Sequence, residues 1–86
     1  MYIHIGSDMC VRDSSIIGIF DLDNTTCSKH TRNFLARAEQ EGRVVTVAED
    51  LPKSFLLTAE YGLARVYLTT YSTATLEKHM AQKSSL

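Results

Sequence analysis

Apolar residues are densest between Ser14 and Leu22, where Ile16, Ile17, Ile19, Phe20 and Leu22 are relieved only by Gly18 and Asp21. Strand alternation puts Ile16, Gly18, Phe20 and Leu22 on one face and Ile17, Ile19 and Asp21 on the other. Both faces are apolar, so the pattern predicts a central strand buried on both sides. Upstream, Ile3 and Ile5 alternate with Tyr2 and His4 in a short first strand. Gly6-Ser7-Asp8 has turn chemistry, and Met9 to Arg12 forms a second strand that Asp13-Ser14 turns into the apolar one.

The period changes after the loop Asp23-Asn24-Thr25-Thr26. From Lys29 to Glu41, Thr31, Phe34, Leu35 and Ala38 fall on one helical side, with Lys29, Arg32, Asn33, Arg37 and Gln40 opposite. Ser28 fits the N-cap, and Gly42 fits the left-handed position that ends a helix. Val44 to Ala48 is the next strand. Past a loop containing Pro52, Ser54 to Thr58 and Ala64 to Thr70 form a hairpin through Glu60-Tyr61-Gly62. Ser72 caps a short last helix over Thr73 to Met80, with Tyr71 and Leu76 as its hydrophobic staple.

The predicted order is β-β-β-α-β-β-β-α, a small α+β fold forming a single domain over residues 1–81, with 82–86 as a flexible tail. One long helix covers one face of the sheet. The other face, carrying Ile17 and Ile19, is left without cover, which predicts a homo-oligomer built on those two residues.

Composition narrows the function. The chain has 86 residues, with 9 Lys and Arg against 10 Asp and Glu. At this length only about 60–65% of the unfolded surface can be buried, enough for one thin core. Overall charge cannot hold a polyanion, so a nucleic acid would have to meet a local basic patch. Lys53, beside Pro52, is the candidate phosphate contact in a loop, and Lys29, Arg32 and Arg37 form a helix face diluted by Glu39 and Glu41. Arg12 and Arg65 read as strand-edge charges. Cys10 and Cys27 lack metal-site spacing, as do His4, His30 and His79, so neither a metal nor another cofactor is expected. The N-terminus lacks signal-peptide features and no apolar run approaches the roughly 20 residues of a membrane span, which predicts a cytoplasmic protein with reduced thiols.

Asp21-x-Asp23-x-Thr25 at the end of an apolar strand matches the nucleophile motif of haloacid-dehalogenase phosphatases. That chemistry also needs a phosphate-holding lysine and a later acidic pair on a much longer, parallel, doubly wound sheet. The expectation is an Asp-rich turn and no enzyme.

Over about nine-tenths of its length the chain resembles the RemA/RemB family of bacterial extracellular-matrix regulators, its RemB-type members most. The resemblance runs through His4-Ile5-Gly6, Ile16 to Leu22, Glu41-Gly42-Arg43-Val44-Val45, Asp50 to Phe55, Val66-Tyr67-Leu68 and Ala74-Thr75-Leu76. It implies a cytoplasmic, DNA-binding regulator of biofilm-matrix genes that assembles into rings, with a LytTR-like fold and no small-molecule substrate. RemA-type members carry adjacent arginines in the loop where this chain has Leu51-Pro52-Lys53-Ser54. Lys53 then becomes the principal contact to duplex DNA, with Lys29 and Arg32 secondary, and ring repetition supplies avidity. An oligomeric protein-interaction module, or a modulator of a more basic paralogue with little DNA binding, is the alternative.

Overall fold

In the computed structural model, which describes residues 2–6, 9–22, 29–47 and 50–84 with side chains as far as residue 81, the apolar strand lies at a sheet edge. The strands are β1 (Tyr2–His4), β2 (Cys10–Arg12), β3 (Ile16–Asp21), β4 (Val44–Thr46), β5 (Ser54–Glu60) and β6 (Leu63–Thr69), and the helices are α1 (Lys29–Gln40) and α2 (Thr73–Ser84). β1 and β2 pair as a small antiparallel sheet, while the main sheet has the order β3-β5-β6-β4. β5 pairs antiparallel with β3 and β6, whereas β4 is parallel to β6. β3 and β4 therefore run the same way at opposite edges, joined by α1, and the β5–β6 hairpin fills the space between them. The α+β class and the element order agree with the sequence pattern.

The central position of β3 is corrected. Buried Phe55, Leu56 and Val66 mark β5 and β6 as the inner strands. Ile16 faces Thr58 and Gly18 faces Leu57, so Ile17 is the extra residue of a β-bulge. The bulge breaks the alternation. Ile16 and Ile19 both pack on the cluster of Ile5, Val11, Leu56 and Leu76, while Ile17 is 63% exposed. Phe20 joins the opposite cluster around Ala38, Phe55 and Val66 and stacks on Phe55 with ring centroids 5.0 Å apart. A Cβ on Gly18 would stand 2.8 Å from the Phe20 ring, so that packing requires glycine.

Both faces of the main sheet are covered, which overturns the expectation of an open one. α1 lies on one face through Phe34, Leu35 and Ala38. On the other lie the β1–β2 hairpin and α2, which bring Ile5, Val11 and Leu76 onto Leu56. α2 spans 12 residues, as many as α1, and is helical into the segment expected to be a tail. The Thr69 hydroxyl binds this layer to the sheet: it donates to the Ile5 carbonyl and accepts from the Tyr71 N–H. His79 Nδ1 adds a 3.1 Å bond to the His4 carbonyl.

Local chemistry sets the element ends. Gly42, at φ 72°, closes α1 in a Schellman motif, in which Arg43 N–H donates to Ala38 O at 2.9 Å and Gly42 N–H to Glu39 O at 3.1 Å. Tyr61 and Gly62 both have positive φ, 53° and 78°, as a type I′ hairpin turn demands. Ser72 Oγ accepts from Thr75 N–H at 3.2 Å, capping α2. The proposed Ser28 cap lies outside the described residues.

Candidate nucleic-acid interface

Lys53 is held by its backbone, and among the described residues its side chain makes no hydrogen bond or ion pair. Its N–H donates to Thr69 O at 2.8 Å, and its carbonyl accepts from Leu22 N–H at 3.0 Å. It thus continues β5 between the ends of β3 and β6, and Pro52 before it has no N–H to lose. The Asp50 carboxylate accepts from Leu51 N–H at 2.9 Å, stiffening the loop. Lys53 is exposed and lines a shallow cleft of about 480 Å³ with Gly6, Val47, Asp50, Leu51 and Tyr71. Leu51, 82% exposed, stands at its rim.

Lys29 and Arg32 are both exposed in the first turn of α1, which contains no acidic residue. Cations at a helix N-terminus oppose the helix dipole, at a cost of about 0.3–1 kcal/mol each, and an anion there relieves the conflict. This turn lies over the inner strand. His30 and Thr31 border a groove with Phe20, Phe55 and Leu57, two positions along β5 from Lys53.

No known family profile matches the chain. It is 35% identical over 78 residues to Extracellular matrix regulatory protein B of Bacillus subtilis strain 168, covering 91% of this chain and 88% of the relative. The chain belongs to the RemA/RemB family of extracellular-matrix regulators.

For this RemB-type chain, the structure keeps the named cations on the surface but separates the two interface candidates. Ile19 is half-buried against the core cluster and Ile17 stands outside it. Arg12 and Arg65, read as independent edge charges, line one recess, and Arg65 lies on inner strand β6. No local pattern joins them, because β2 and β6 meet only through the docking of the hairpin. Asp21 is half-buried at the end of edge strand β3, and Asp23 and Thr25 lie outside the described residues. Among the described residues, no group of three His, Cys, Asp or Glu side chains is placed to hold a metal ion, although His4 Nδ1 lies 3.3 Å from Cys10 Sγ. No helix among them is long and apolar enough to cross a membrane.

Proposed function

We propose that this RemB-type protein is a cytoplasmic regulator of extracellular-matrix genes that binds duplex DNA as a homo-oligomer. Lys53 is the principal phosphate contact, with Lys29 and Arg32 on the helix face as secondary contributors. The observation that carries this reading is the acid-free, doubly basic first turn of α1, whose His30 and Thr31 share a groove with Phe55 and Leu57 of β5. The name of the Bacillus subtilis relative supports the regulatory role. One lysine loop per protomer is a weak site, so repetition around an oligomer supplies the affinity. Edge strand β3, with Ile17 exposed on it, is the surface for self-association.

Fluorescence anisotropy of labelled duplex DNA across a salt series tests this. Affinity should fall steeply with salt, because phosphates rather than base edges are engaged. Lys53→Glu should abolish binding without changing the solution mass, and Leu51→Arg should add roughly one counterion per engaged protomer to the salt slope. Full binding by Lys53→Glu would remove the loop from the site. Absence of binding by the parent at low salt favours the interaction-module reading, which Leu51 supports: an exposed leucine lining one cleft with Asp50 and Lys53 suits a protein contact.

A further inference from the structure

At the far end of β5 from Lys53, the β1–β2 hairpin and the tip of the β5–β6 hairpin enclose a recess of about 310 Å³. At roughly 3.3 Å per residue, its β5 residues Thr58 and Glu60 stand about 16 and about 23 Å along the strand from Lys53. Its walls include Tyr2, Arg12, Glu60, Tyr61, Arg65 and Tyr67. The volume is at the small end of the range for ligand sites.

The side chains have a consistent chemistry. Two guanidiniums lining one concave site suit a phosphate, whose oxygens accept paired N–H donors. Phenol rings offer flat faces to a planar heterocycle, and the Glu60 carboxylate accepts from an amino or hydroxyl group. Arg12 is already held in place: its guanidinium carbon lies 5.9 Å from the Tyr2 ring centroid. A side-chain hydrogen bond to Tyr2 is the largest cause that raises its pKa, and the Glu60 carboxylate adds to it.

Tyr61 is a second, independent observation. Among the described residues it alone has positive φ without being glycine, at 53°, and it is 92% exposed. Asn, Asp or Gly meets that turn position at lower cost, and an exposed ring gains nothing from the core. A tyrosine here works against both backbone preference and burial, as a contact residue does.

We propose that the recess binds a small phosphorylated ligand with a planar ring, of the mononucleotide class, with its phosphate on Arg12 and Arg65 and its ring against Tyr61 and Tyr2. This site is separate from the DNA contact at Lys53.

Calorimetric titration of the full chain with AMP, GMP, adenosine and inorganic phosphate tests the site. At least one mononucleotide should bind saturably, with a Kd of about 10–100 μM, and both adenosine and phosphate should bind at least about tenfold more weakly. Arg65→Gln and Tyr61→Asn should each weaken the mononucleotide by about tenfold or more. Tyr61→Asn should also keep or raise the Tm, since Asn suits the turn, so its loss of binding reports on the ring and not on unfolding. Lys53→Glu should leave this affinity unchanged. The proposal is overturned if neither mononucleotide binds saturably, if phosphate alone binds as tightly, or if Lys53→Glu removes the binding. Tighter binding of a 5′-phosphorylated trinucleotide than of either mononucleotide would overturn the free ligand in favour of a strand end.

Discussion

A lysine at half-buried position 19 loses the isoleucine's packing on Ile5, Val11, Leu56 and Leu76 and part of its own hydration, whereas at position 17 it stands in water. Ile19→Lys should therefore cost about 2–4 kcal/mol in urea unfolding. Ile17→Lys should change stability by less than about 0.5 kcal/mol. If β3 is the self-association edge, Ile17→Lys should lower the mass measured by light scattering while the protomer stays folded. An unchanged mass would move the contact away from this edge. Two isoleucines on one predicted face thus have opposite roles, and the bulge that separates them depends on the pairing of β3 with β5. Gly18 was the one local sign of it.

Where local chemistry decides an element, the sequence was readable. α1 needs only its period and Gly42, the β5–β6 hairpin needs Gly62, and α2 needs Ser72, whose side chain caps it as expected. Gly42→Ala isolates one such device, since φ is 72° and a Cβ there would meet nothing within 4 Å. The cost is purely conformational, about 1 kcal/mol, and should appear as a lower urea midpoint with an unchanged slope. The place of β3 was not readable in this way, because an apolar run does not reveal how many neighbours a strand has. The length of α2 was missed as well. Its polar C-terminal half resembles a tail, and its docking on β1 and β3 is what gives it partners. For the candidate site, Lys53, Lys29 and Arg32 were legible as exposed cations, but the recess joining Arg12 and Arg65 depends on contacts between distant parts of the chain.

For the whole molecule, the first and last elements share one face of the sheet. A chain ending at Tyr71 would lack α2 and bare Ile5, Val11 and Leu56. It should bind a hydrophobic dye and lose cooperative unfolding, and retention of a sharp transition would refute the importance assigned to this layer. The Thr69–Ile5 bond spans 64 positions, and the His79–His4 bond spans 75. Both join residues at or just after β1 to residues at or after the end of β6. During synthesis, the N-terminal hairpin therefore leaves the ribosome long before its cover exists. Packing of this layer must wait until α2 has been synthesised, and until then the nascent chain presents an apolar sheet face that chaperones can bind.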